Sequence, residues 1–164
     1  MLPYSKQSIT IDDVNAVVEV LESDFLTQGP LVPLFENEVS KKVGAKFALA
    51  VNSATSALHI ACKALGLSSG DILWTTPISF VASANCGIYC GAKIDFVDID
   101  PETYNISITE LEYKLHIAKK QGTLPKVIVA VHFSGQPCDI AKIYELSLIY
   151  GFSIIEDAYH DIGT

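Results

Sequence analysis

Arginine is absent from this chain; all eleven basic residues are lysines. The planar fork that most often clamps a carboxylate or phosphate is therefore missing from these residues. Positive charge is also scarce. The 164 residues carry a formal net charge of -8, which argues against non-specific nucleic-acid binding, since that needs clustered cations. No apolar run approaches the length needed to span a membrane, and the opening MLPYSKQSIT has no apolar signal core. The four cysteines, Cys62, Cys86, Cys90 and Cys138, show no paired metal-ligand spacing. Cys86 and Cys90, four apart on an expected helix, could share a metal, but buried free thiols are the plainer expectation. No metal site is assigned, and a reducing cytoplasm is the simplest setting. Internal repeats, low-complexity tracts and linkers are missing too.

What the chain does have is apolar mass in a regular order. Hydrophobic residues make up 49% and charged residues 18% of it, the balance of a globular domain with a real core. Two helical stripes come first: Ile11, Val14, Val17, Val18 and Leu21 after Thr10, then Leu31, Leu34, Phe35, Val39 and Val43 up to Gly44. Leu26-Thr27-Gln28-Gly29-Pro30 breaks the chain between them. From Phe47 on, short apolar runs alternate with amphipathic stretches. Strands are expected at 47–51, 71–76, 92–97, 127–131 and 152–155. Helices are expected from Ala57 to Leu65, from Phe80 to Tyr89 with Val81, Ala84, Asn85 and Ile88 on one side, from Ser107 with Ile108, Leu111, Leu115 and Ala118 inward, and from Asp139 to Tyr150. This alternation is that of an α/β fold in three layers with a mostly parallel sheet. We divide it into a helical segment, 1–45, and an α/β domain, 46–164.

The stretch FALAVNSATSAL, 47–58, organises the rest. A buried strand running through small polar residues into a helix leaves free N–H groups and partial positive charge at one spot, a seat for a phosphate. An ordinary N-cap reads the same way. In open parallel sheets, ligands sit at the carboxyl ends of the strands. That rule gathers Asn52 to Ser56, Thr75 to Phe80, His132 to Gln136 and Asp157 to His160. Phe80 offers a ring for stacking on a flat ligand. Asp157 offers a carboxylate directly after a buried strand, and His160 an imidazole three residues on. A flat, phosphorylated heteroaromatic cofactor with a basic ring nitrogen, such as pyridoxal 5'-phosphate, matches the set. A carboxylate at that nitrogen keeps it protonated and makes the ring an electron sink. Each residue also has a plainer use: Asp157 as a turn cap, Phe80 as core, His160 and His132 as hydrogen-bonded structural residues. Glu156-Asp157 would suit a metal only with further acids at other strand ends.

The segments NSATSALH (52–59), TTPISFVASAN (75–85), GAKIDFVDID (91–100), VHFSGQPCDI (131–140) and IIEDAYHDIG (154–163) occur in the order found in DegT-type sugar-nucleotide aminotransferases. The chain resembles the first part of that family. The pieces YSKQSI (4–9) and LTQG (26–29) are similar to the branch that serves pseudaminic acid biosynthesis. The resemblance implies the large cofactor-binding domain of the aspartate-aminotransferase fold (fold type I), here incomplete, with its C-terminal part and small domain outside these residues. It implies pyridoxal phosphate as cofactor, glutamate as donor, and C4 of a UDP-linked 4-keto-6-deoxy N-acetylhexosamine as acceptor. It implies a cytoplasmic homodimer whose second subunit completes the site, without nucleic acid or membrane. Carried over, Thr55 and Ser56 hold the cofactor phosphate, Phe80 stacks on the ring, Asp157 pairs with its nitrogen, and His160 lies toward its 3'-oxygen. Thr27, Gln28 and Gly29 lie near the sugar. Tyr159 and Asp161 stand where the family has smaller residues. The family's Schiff-base lysine falls about twenty residues after the aspartate, and none of the eleven lysines matches it. No catalytic residue is therefore assigned in this chain, and alone it is expected not to transaminate. A non-catalytic relative that binds pyridoxamine phosphate or a partner is the alternative.

Overall fold

The computed structural model describes residues 7–159. It comprises two compact units, Met1–Ala50 and Val51–Thr164.

The first unit carries two helices. Helix α1, Ile11–Leu21, starts at Thr10, whose hydroxyl accepts from the Asp13 N–H while Asp13 accepts from the Thr10 N–H at 2.7 Å. This reciprocal box satisfies two donors that a helix start leaves open. Helix α2, Leu31–Val43, closes on Gly44 with φ 66°, the left-handed position that glycine takes without steric cost. The connecting loop is tightly shaped. Gln28 has φ 53°, and a Cβ on Gly29 would stand 3.0 Å from Cβ of Phe25. Neither helix buries a residue. The strand expected at 47–51 does not form. A strand is held by its ladder, and among the described residues none pairs with this segment. The Ala50 N–H bonds instead to the Glu36 carboxylate at 2.8 Å, and Phe47 and Leu49 are exposed.

The second unit is the α/β domain. Its elements run α3 (Ala54–Ala64), β1 (Ile72–Thr75), α4 (Ala82–Tyr89), β2 (Lys93–Phe96), α5 (Ile108–Gln121), β3 (Val127–Val131), α6 (Ile140–Tyr150) and β4 (Ser153–Asp157). The four strands are parallel, in the order β2-β1-β3-β4. Alternation along each strand makes two faces. Leu73, Val127, Val129, Val131 and Ile155 point to one, where they pack with Leu58 and Cys62 of α3 and Ala82 and Cys86 of α4. Trp74, Ile128 and Ala130 point to the other, against Leu111 and Leu115 of α5 and Ile143 and Leu146 of α6. The expected three-layer fold is thus present, with four strands among the described residues where five were expected. The chain steps from β1 outward to β2, then crosses back to β3. That reversal puts a topological switch point between β1 and β3, the place where such sheets open a crevice at their carboxyl edge.

Helix α4 differs from expectation. It begins at Ala82, and it presses its small side against the sheet: Ala82, Ser83, Cys86 and Gly87 are buried, while Val81 and Ile88 face outward. The close approach needs Gly87. A Cβ there would fall 2.5 Å from Cδ1 of Ile94 and 3.1 Å from Cδ1 of Leu73. The four thiols are buried and unlinked. Hydrogen bonding to Cys86, then burial, holds the Cys62 thiol well above its usual range, and burial raises Cys90. Among the described residues, no group of three His, Cys, Asp or Glu is placed to hold a metal ion. No described helix is long and apolar enough to cross a membrane.

Candidate active site

Strand periodicity decides which carboxylate reaches the α3–α4 face. Ile155 belongs to the core on that side, so Asp157, two residues on, faces the same way and Glu156 the opposite way. Asp157 is half-buried, and its Oδ2 accepts a hydrogen bond from the Ser83 hydroxyl at 2.7 Å. Ser83, on α4, is completely buried. Its oxygen also lies 2.6 Å from the Ser79 hydroxyl and 3.1 Å from the Phe80 carbonyl. The segment after β1 is thereby tied to the end of β4. Of the residues read from the sequence, the structure brings together Phe80, through its backbone, and Asp157. The Phe80 side chain is 75% exposed among the described residues.

The turn before α3 forms a local network. Ser53 caps the helix by accepting from the Ser56 N–H at 3.2 Å, and the Ser56 hydroxyl donates to Oδ1 of Asn52 at 2.7 Å. The Ser56 proton is therefore committed within the turn. The first N–H groups of the helix, on Ala54 and Thr55, have no carbonyl within the helix to bond. Helix α3 hands the chain to the start of β1, so its N-terminus lies at the carboxyl edge of the sheet, and its body packs on α4 and β4. The helix dipole and these N–H groups favour an anion there.

The remaining strand end is built for support. The His132 N–H donates to the Asp157 carbonyl at 3.1 Å, and Nε2 of His132 lies 3.4 Å from the Glu156 carboxylate. The chain then makes a 3-10 turn, Phe133–Gly135, with Ser134 at φ 54°. Asn105, nearly buried, holds that turn: its side chain accepts from the Phe133 N–H and donates to the carbonyls of Gln136 and Pro137. Among the described lysines of the second unit, Lys114 bonds the carbonyl of Phe96, the last residue of β2. Lys93 and Lys126 stand at the starts of strands, and Lys114 lies over the Trp74 ring on the α5–α6 face. Thr27, Gln28 and Gly29 belong to the first unit. His160 and Asp161 lie outside the described residues. Ser79, Ser83 and Asn105 were not singled out from the sequence. The signal for Ser83 was present as spacing: Ser83, Cys86, Gly87 and Cys90 repeat at i, i+3, i+4 and i+7, a helical face of small residues.

Residues 7–164 match the DegT/DnrJ/EryC1/StrS aminotransferase family. The spore coat polysaccharide biosynthesis protein SpsC of Bacillus subtilis is 42% identical over 163 residues, 99% of this chain and 40% of that protein. The UDP-4-amino-4,6-dideoxy-N-acetyl-beta-L-altrosamine transaminase of Campylobacter jejuni is 38% identical over 164 residues, 100% of this chain and 42% of that enzyme. Among solved structures, PseC of Helicobacter pylori, an aminotransferase involved in the biosynthesis of pseudoaminic acid, superimposes with a TM-score of 0.84 at 35% identity, over 94% of this chain and 40% of that one. The chain spans about 40% of the length of the curated relatives it matches.

Proposed function

The chain belongs to the DegT/DnrJ/EryC1/StrS aminotransferase family, and on that premise we propose that it forms the cofactor-holding part of a sugar-nucleotide aminotransferase. Its relatives are pyridoxal-phosphate-dependent. Bound, that cofactor supplies an electron sink beside the atom that gains or loses nitrogen. The residues present suit it. The open N–H groups of Ala54 and Thr55 and the Thr55 hydroxyl hold the phosphate, with Ser56 joining once its proton leaves Asn52. The Phe80 ring lies against the flat face of the cofactor. Asp157 holds a proton on the ring nitrogen. The resemblance to the family, rather than the geometry, assigns His160 to the 3'-oxygen side of the cofactor and Thr27, Gln28 and Gly29 to the sugar.

The observation that carries this reading is the placement of Asp157. Among the described strand residues it is the one carboxylate that alternation aims at the α3–α4 face, and a buried hydroxyl holds it there. By analogy with the named relatives, the substrate is a UDP-linked 4-keto-6-deoxy N-acetylhexosamine and the donor glutamate. The setting is surface-sugar biosynthesis of the pseudaminic type, in a homodimer. None of the eleven lysines matches the position of the family's Schiff-base lysine, so the chain alone is expected to bind cofactor without turnover.

Pyridoxamine 5'-phosphate needs no lysine and is therefore the probe. Titrating the chain and following cofactor fluorescence gives a saturable signal that Asp157→Ala removes. Absence of saturation, or equal binding by the variant, refutes the reading. Equal binding of a simple nucleotide by both forms points instead to a phosphate-binding module unrelated to this cofactor. Steady turnover of glutamate and keto sugar by the chain with added pyridoxal phosphate refutes the expected inactivity.

A further inference from the structure

A buried hydroxyl with a carboxylate on one side and a second hydroxyl on the other has an ordered proton. Ser83 carries one O–H, and an ionised carboxylate only accepts. The Ser83 proton therefore goes to Oδ2 of Asp157 at 2.7 Å. Its lone pair is then free to receive the Ser79 proton across 2.6 Å. The Ser79 hydroxyl has a second acceptor, the Phe80 carbonyl at 3.2 Å; with the shorter bond to Ser83 taken, the chain reads Ser79 to Ser83 to Asp157, with the protons pointing toward the carboxylate. The Phe80 carbonyl, 3.1 Å from the Ser83 oxygen, is the competing acceptor and loses to the charged one. Oδ2 is thus taken from the helix side, and Oδ1 is the oxygen left to meet a ligand. Ser83 cannot swing away, because it lies completely buried one turn before Gly87, where α4 comes closest to β1 and β2.

We propose that Ser83, itself oriented by Ser79, is a positioning residue that fixes the Asp157 carboxylate so that one oxygen faces the ring nitrogen of the cofactor. This rests on the cofactor reading above and names a further part of the same site. It acts through Asp157 and touches no ligand.

The test uses pyridoxamine 5'-phosphate labelled with 15N in its ring, bound to the chain. Two readouts are taken: the dissociation constant, and the pH at which the bound ring nitrogen loses its proton, seen as a jump in its 15N shift. Ser83→Ala raises the dissociation constant about tenfold, as expected for a lost charge-assisted hydrogen bond, and moves the 15N titration to lower pH. Ser79→Ala gives a smaller change of the same sign, about threefold, from a neutral hydrogen bond one step removed. Ser83→Cys keeps the size but donates weakly, and reports the loss should the alanine variant unfold. A wild type that binds while Ser83→Ala and Ser83→Cys titrate unchanged overturns the positioning role alone. A wild type that binds no pyridoxamine phosphate overturns the proposed function and this role with it.

Discussion

The two faces of the sheet are built on different principles. On the α5–α6 face the helices stand off on large residues: Trp74, Leu111, Leu115, Ile143 and Phe152 fill the space. On the α3–α4 face the helices come down on small ones: Cys62, Ala82, Cys86, Gly87 and Cys90. Both pack tightly, but only close approach lets a side chain as short as serine reach from a helix to a strand end. The candidate site residues Asp157 and Ser83 sit on the face with the small packing, while the other face buries the bulkier side chains, among them Trp74 and Phe152. Chemistry and bulk stability are thus largely separated across one sheet.

That separation is open to direct attack. The largest loss of stability is expected from Leu115→Ala on the α5–α6 face. It removes a completely buried side chain and costs about 2–5 kcal/mol, while leaving pyridoxamine phosphate affinity unchanged; urea unfolding and the fluorescence titration check the two halves. Next is Gly87→Ala. The new methyl meets Ile94 and Leu73 and lifts α4 at a cost of about 1–3 kcal/mol. Here affinity falls as well, because Ser83 moves with the helix, and adding Ile94→Val recovers part of both losses. Should Gly87→Ala unfold more easily yet bind normally, the coupling between close packing and the site is wrong.

The smallest effect lies at the opposite edge of the sheet. There Lys126 bonds Oδ2 of Asp71 at 2.9 Å and the carbonyl of Gly66 at 2.7 Å. The Lys126 hydrogen bond, then the Ser68 N–H, keeps Asp71 below the ordinary carboxylate range. A carboxyl with a depressed folded-state pKa stabilises fully above its unfolded value, and that contribution is lost as pH falls through the folded one. Asp71→Asn therefore flattens the acid-side fall of the melting temperature slightly, without touching cofactor affinity at neutral pH. A melting curve unchanged in its pH dependence would remove Asp71 from the account.

The sequence was most legible where bulk decides. The runs at 127–131 and 152–155 became β3 and β4, and Leu111, Leu115 and Ala118 turned inward as their spacing requires. It misled where bulk does not decide. Val81 and Ile88 mark an apolar side of α4, yet that side faces out, because the sheet below leaves room only for Ser83, Cys86 and Gly87. The run at 47–51 has strand composition, but composition cannot supply a neighbour, and without a ladder the segment stays irregular. That Asp157 and Phe80 share one edge was readable, because both stand at or after the carboxyl ends of strands. The small-residue face carrying Ser83 was present as spacing, but its bond to Asp157 shows only in the distance between α4 and the end of β4.

The most direct measurement is a crystal structure of the chain soaked with pyridoxamine 5'-phosphate. The account predicts the phosphate at the N–H groups of Ala54 and Thr55, the ring against Phe80, its nitrogen on Oδ1 of Asp157, and Ser83 still on Oδ2. A ligand on the α5–α6 face, or a ring nitrogen turned away from Asp157, would contradict it.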